Sequence, residues 1–194
     1  MTEGTGSAGA VAAEFPSWAR MTAARREHAL RVAGLMEGWA RGLDLPADAR
    51  ARWKLAALHH DALKDAPARE LRELLSGDEA RLAEPLLHGP AAAARMEEEA
   101  IGDPEVCDAV RYHTVGHPSF RLLGQALYLA DWLEPGRGFE DDLRRRLRSR
   151  LPGDWDGVLR EVTRRRIGDL LEKTLPLRPE TVAFWNARVV EGLS

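Results

Sequence analysis

A chain of 194 residues, 44% hydrophobic and 30% charged with a formal net charge of −3, has the length of one ordinary domain and enough apolar material for a single sizeable core. That balance lacks the basic footprint of a DNA or RNA binder. Its one cysteine, Cys107, excludes an intramolecular disulfide framework and a thiolate metal cage, as expected in a reducing cytoplasm.

The opening MTEGTGSAGAVAAE has neither the basic start nor the apolar run of a signal peptide or membrane helix, and reads as a flexible tail over residues 1–14. One domain over 15–194 follows. Helical periodicity dominates it, with no alternating strand run and no internal repeat, so the expected fold class is all-α. In the first helix, expected over 16–42, Met21, Ala24, His28, Val32, Leu35 and Trp39 recur at spacings of three or four and set His28 inside the apolar stripe. The second, over 47–63, aligns Trp53, Ala56, His60 and Lys64 on one face, with Asp61 about 100° further round. Short helices are expected over 68–75 and 78–84.

A helix over 90–100 opens at the Gly89-Pro90 break, leaving His88 in a loop behind Leu86 and Leu87. Asp103 followed by Pro104 is an N-cap with proline at the first helical position, and the helix it opens, 104–114, closes its apolar face of Val106, Ala109 and Val110 with His113. The helix over 119–133 closes Leu123, Leu127 and Ala130 with Asp131. Helices over 138–150, 154–173 and 179–192 complete the chain. The arginine runs DDLRRRLRSR and TRRRIGD read as solvated faces, with Leu143, Leu147, Leu151 and Ile167 inward and a few arginines able to reach a long anionic ligand.

One histidine on an apolar face is commonly a satisfied core group. Four of them, His28, His60, His88 and His113, together with Asp61 and Asp131, would each need a partner inside one small core, because an unpaired buried carboxylate is costly. Shared cations meet every requirement. Imidazole and carboxylate without thiolate suit iron, manganese, cobalt or zinc, and six ligands exceed one tetrahedral site, so two ions are expected.

The set His28, His60-Asp61 and Asp131 resembles the motif of the HD-domain metal-dependent phosphohydrolases. The stretches AALHHDALKD, LLHG, RYHTVG, LADWLEPGR and PETVAFWN are similar to the YqeK family, over roughly residues 20 to 190 and in the family's order. That resemblance implies a single helical HD-domain bundle with a dinuclear centre in its core. It also implies symmetrical hydrolysis of diadenosine tetraphosphate to two ADP by a metal-bridged hydroxide. His28, His60, Asp61 and Asp131 would surround one ion; His88 and His113 would complete a second, with Asp61 bridging and iron, divalent or mixed-valence, the favoured metal.

Asp61 and Lys64 are the expected catalytic pair, and Lys64, Thr114, Glu134 and Arg137 the expected substrate contacts. Lys64 has the alternative of an ion pair with Asp65 or Glu70, Arg137 of one with Glu134, and Thr114 of capping a helix end. Val115 and the HPSF segment 117–120 depart from the family pattern, and His59 and His117 receive no role beyond supporting or surface positions. Trp132 and Trp185 read as core, with adenine stacking as the alternative. The expected partner is a dinucleoside polyphosphate or nucleotide, with no nucleic acid and no membrane, in a monomer or dimer. Two alternatives stay open: another HD-superfamily nucleotidase or deoxynucleotide triphosphatase, and a non-catalytic nucleotide-binding module.

Overall fold

In a computed structural model, residues 15–138 and 140–190 are described; the expected tail and the last residues of the final helix lie outside them. Nine α-helices stand among the described residues, with no strand: α1 Ala23–Gly42, α2 Ala47–His59, α3 Ala68–Glu73, α4 His88–Glu98, α5 Pro104–Tyr112, α6 Leu122–Leu133, α7 Asp141–Arg150, α8 Trp155–Glu172 and α9 Pro179–Val190. Helix α1 pairs with α2, α4 with α5 and α5 with α6, while α8 packs on α6 and α9. The core runs through the middle of this stack, from Val32 and Met36 through Ala56, Val106 and Val110 to Leu127 and Leu129.

Local chemistry sets the boundaries that place the ionisable residues. Asp103 accepts from the N–H groups of Glu105 and Val106 at 3.0 and 3.1 Å, so Pro104 opens α5 as its sequence indicates. Helix α1 begins at Ala23, not at residue 16, because Thr22 is its cap, accepting from the Arg25 N–H. Ala24 is exposed, and the buried stripe runs instead through His28, Val32, Met36 and Trp39. Helix α2 stops at His59, where periodicity continues to 63. His60 to Asp65 form tight turns, with the Ala62 N–H donating to His59 O and the Lys64 N–H to Asp61 O, both at 3.0 Å.

The expected helix over 78–84 is instead two short 3-10 turns, Glu79–Arg81 and Glu84–Leu86, the second carrying Pro85. His88 is not in a loop. It is the first residue of α4, because the N–H groups of a helix's first turn have no intrahelical acceptor, and Pro90 is tolerated there. Gly89 lets α4 approach α5: a Cβ on it would stand 2.9 Å from Arg111 O and 3.3 Å from the His113 ring. That close approach brings His88 beside His113.

The arginine-rich helices depart from a solvated face at three positions. Arg144 is fully buried, its guanidinium 4.4 Å above the Trp132 ring. Arg148 donates to Leu133 O, and Arg166 lies 4.4 Å above the Tyr128 ring. Leu147 is buried as expected, while Leu143, Leu151 and Ile167 are only partly so.

Candidate metal centre and adjoining cleft

Six ionisable side chains from five parts of the fold meet in the core. His28 comes from the second turn of α1, His60 and Asp61 from the turn after α2, His88 from the start of α4, His113 from the residue after α5 and Asp131 from the last turn of α6. All six are buried. The Asp61 carboxylate lies between two histidine pairs. Its Oδ2 is 3.8 Å from His28 Nε2 and 3.7 Å from His60 Nε2; its Oδ1 is 3.1 Å from His88 Nε2 and 3.7 Å from His113 Nε2. On the first side, Asp131 Oδ1 completes the group at 3.3 Å from His28 Nε2 and 4.0 Å from His60 Nε2. Two sets, His28/His60/Asp131 and His60/Asp61/His113, have ligand atoms within 4.8 Å of one another and could each hold a metal ion.

The backs of three of the four rings are fixed by a polar group. His60 Nδ1–H donates to Ala57 O at 2.8 Å and His113 Nδ1–H to Val110 O at 2.7 Å, and His28 Nδ1 is 3.2 Å from Glu134 Oε1. In His28, His60 and His113 these partners assign the Nδ1–H tautomer, which leaves their Nε2 lone pairs pointing inward. His28 and His60 then oppose Nε2 atoms at 3.3 Å, and His88 Nε2 lies 3.2 Å from His113 Nε2. Converging lone pairs repel unless a cation or proton lies between them, so this donor set fits divalent metals.

The charge states agree. Burial pushes the His60 imidazole down to about 4 and also lowers His88 and His113. Burial opposes ionisation of Asp61, but its interactions with the neighbouring His60, His113 and His88 outweigh burial and hold it well below the usual carboxylate range. Asp131 is likewise held down against burial, chiefly by Arg137 and by its contact with His28. Neutral imidazoles and ionised carboxylates are the forms that ligate metals.

Around this cluster, Lys64 Nζ lies 3.3 Å from both ring nitrogens of His88 and 3.5 Å from Pro85 O. Burial lowers its pKa. Asp65 instead accepts from the Thr22 N–H at 2.8 Å. Arg137 pairs chiefly with Asp131 through a short contact and is 3.9 Å from Glu134. Glu134 is turned inward and 1% exposed, taking Arg31 Nε at 2.7 Å and the Gly136 N–H at 2.8 Å while facing His28. Thr114 Oγ1 is 3.1 Å from His113 Nε2.

Of the departures from the family pattern, Val115 lines the cleft beside Asp131, and the 117–120 segment packs against Tyr112 and Phe184. Val115 O accepts from Thr181 on α9 at 2.8 Å. His117 stacks on Tyr112 at 4.4 Å and takes part in a turn with Ser119, while Phe120 packs edge-on against Phe184. His59 is buried, its Nδ1 2.9 Å from Leu55 O. Trp132 is also buried, with Arg144 over its ring, and Trp185 is half-buried.

Sequence reasoning passed over several neighbours. Arg25, one turn before His28, is 3.0 Å from Asp61 Oδ2, and that i, i+3 spacing was its available signal. Arg166 reaches Thr114 O at 2.6 Å and stands 3.6 Å from Asp131 Oδ2. It lines a cleft of about 270 Å³ that runs from Asp131 and Arg137 along α8 to the 175–178 loop. A second cleft, about 280 Å³, meets the other end of the cluster at His88 and Lys64.

The HD domain family matches residues 25–136. Among similar proteins, the symmetrical bis(5'-nucleosyl)-tetraphosphatase of Halalkalibacterium halodurans is 33% identical over 150 residues, covering 71% of this chain and 76% of that protein. The enzyme of the same name from Bacillus subtilis is 30% identical over 141 residues, covering 69% and 74%. The crystal structure of a predicted HD superfamily hydrolase involved in NAD metabolism from Clostridium acetobutylicum aligns with a TM-score of 0.78 at 26% identity, covering 97% of this chain and 100% of that one. No helix among the described residues is long and apolar enough to cross a membrane. A divalent-metal hydrolase is what the matched domain and the inward-facing His/Asp cluster together describe, and this chain belongs to the HD-domain family, among the YqeK-like enzymes that include these two tetraphosphatases.

Proposed function

We propose that this chain hydrolyses diadenosine tetraphosphate symmetrically, adding water at an inner phosphorus so that the central P–O–P bridge breaks and two ADP form. The observation that carries this reading is the two-sided Asp61 carboxylate, one oxygen toward His28 and His60 and the other toward His88 and His113. In it, His28, His60, Asp61 and Asp131 would hold one ion, and His88 and His113 together with Asp61 would hold a second. Two divalent ions, iron favoured with manganese, cobalt or zinc able to substitute, would lower the pKa of the attacking water and neutralise phosphoryl charge.

The chain's own groups supply the rest. Lys64, at the His88 end, meets a phosphate oxygen as negative charge grows on the departing ADP. Arg137 offers a planar fork to the phosphates at the Asp131 end, and the Thr114 hydroxyl donates beside it. Glu134 acts through His28 by fixing its ring, so it is a positioning residue rather than a substrate contact. Clefts at both ends of the cluster suit a substrate cut at its midpoint, which needs room for a nucleotide on either side.

The test is anion-exchange analysis of products from metal-quantified protein incubated with diadenosine tetraphosphate. ADP as sole product with about two metals per chain is the expected result. AMP with ATP would reject symmetrical cleavage, and absence of turnover with filled sites would reject the substrate.

A further inference from the structure

Arg166, Asp169, Leu170 and Lys173 all line the cleft beside Asp131. Their spacing of three, four and seven residues puts them on one stripe of α8 and its C-cap Lys173, facing the cleft. Arg166 is fixed there by Tyr128 beneath its guanidinium and by Thr114 O, and its buried Nη1 has no hydrogen-bond partner among the described residues. Its guanidinium is therefore a fixed cation beside Asp131. Asp169 follows three residues later, about 4.5 Å further along the helix axis. Its half-buried carboxylate enters no hydrogen bond or ion pair among the described residues, although cationic residues stand on either side of it. Beyond it the lining adds the apolar Leu170, Leu175 and Pro176, with Lys173 and Arg178 among them.

Phosphate, sugar and base occur in that order along a nucleotide. A carboxylate between an anion-binding arginine and an apolar wall would repel phosphate, and its acceptor oxygens suit a neutral group bearing two donors. We propose that this cleft receives one nucleoside half of the substrate and that Asp169 accepts from the ribose 2′- and 3′-hydroxyls, making it the residue that selects ribonucleotides over 2′-deoxyribonucleotides. The inference rests on the reading of the substrate as a nucleoside polyphosphate.

Calorimetric titration of metal-loaded protein with ADP, 2′-deoxy-ADP and IDP tests it. Wild-type protein is expected to bind ADP about tenfold more tightly than 2′-deoxy-ADP, the effect of one hydrogen bond to a charged acceptor. Asp169→Ala should bring the two within about twofold, Asp169→Asn should fall between, and the ratio of ADP to IDP should not move. In turnover, Asp169→Ala should raise KM by a similar factor with kcat retained. Equal binding of the two sugars by wild-type protein, or a ratio unchanged in Asp169→Ala, would overturn the assignment. A change confined to ADP against IDP would overturn it in favour of base recognition. Ribose preference without cleavage of diadenosine tetraphosphate would sustain the subsite and reject the substrate reading; cleavage without ribose preference would do the reverse.

Discussion

The metal centre and the α8 cleft are both made of ionisable side chains on helices, but they relate to the sequence in opposite ways. His28, His60, His113 and Asp131 interrupt or close apolar stripes, where a polar side chain is conspicuous because it must be buried. Arg166, Asp169 and Lys173 interrupt nothing: they sit in a polar run whose spacing is that of any solvated helix face. Ligands of a buried ion are selected by burial, which leaves a periodic trace. Residues lining an open cleft are selected by what lies across from them, and α8 learns that only from α6 and the 175–178 loop.

The largest expected effect breaks the first region. Asp61→Ala removes the carboxylate shared by both histidine pairs, and we expect turnover to fall by more than the roughly 10- to 100-fold that loss of a mere supporting partner costs. Metal content should fall with it, as elemental analysis would show; a wild-type rate with two ions retained would end the dinuclear reading. Next is Glu134→Gln, which weakens the hold on His28 Nδ1 while keeping the side chain's shape. A loss of about 10- to 100-fold in metal affinity, read by competition with a chelator, is expected. Unchanged affinity would leave Glu134 only its pairing with Arg31.

The comparison itself is sharpened by two arginines that look alike in the sequence. Arg166 is 15% exposed and faces the cleft, whereas Arg145 is 64% exposed and pairs with Asp141 and Asp142 on the surface. Arg166→Ala should lower kcat/KM roughly 10- to 100-fold, the range for one hydrogen bond to a charged group, and Arg145→Ala should leave it unchanged. Equal effects would mean that the cleft does not carry substrate.

The fold was legible where capping and burial are local. Asp103-Pro104 announces α5 to the residue, and the apolar periods locate each of the long helices. The misses share a cause. Residues 60 to 65 keep helical spacing through successive tight turns, and the start of α4 is hidden because a proline in a helix's first turn leaves no trace in the hydrogen bonding. Glu134 was legible as a site residue but not as one facing inward, because its direction is set by Arg31, more than a hundred positions away. Arg144 and Arg166 could not be separated from their neighbours, since the aromatic faces that receive them lie on α6.

The buried histidines also set a pH response in metal-stripped protein. His60, lowered to about 4 by burial against an ordinary 6.5, binds fewer protons folded than unfolded between those values. Its contribution to stability is therefore complete above 6.5 and declines as pH falls toward 4. The depressed carboxylates of Asp61 and Asp131 extend the loss below their ordinary value of 3.8. Denaturant midpoints should accordingly fall on acidification across this range and fall less in metal-loaded protein, because bound cations compete with protons for the same nitrogens. A midpoint flat from pH 6.5 to 4 would show that the imidazoles are not buried neutral.

The smallest effect on turnover is expected one residue from the centre. His59 and His60 are adjacent and both buried, but the end of α2 turns them to different sides. The His59 ring packs edge-on against Trp18 at 5.9 Å, and Trp18 donates to Glu99 at 2.9 Å, so it fastens the segment before α1 to the end of α4. His59→Ala removes that packing and the bond to Leu55 O, at a cost of about 1–3 kcal/mol, or a Tm lower by roughly 2–4 °C for each kcal/mol. Metal content and kcat should stay within about twofold of wild type, about 0.4 kcal/mol in barrier height. A tenfold loss of kcat with metal retained would place His59 in the chemistry, whereas loss of metal would show that the Trp18 contact helps to hold the His60 turn in place.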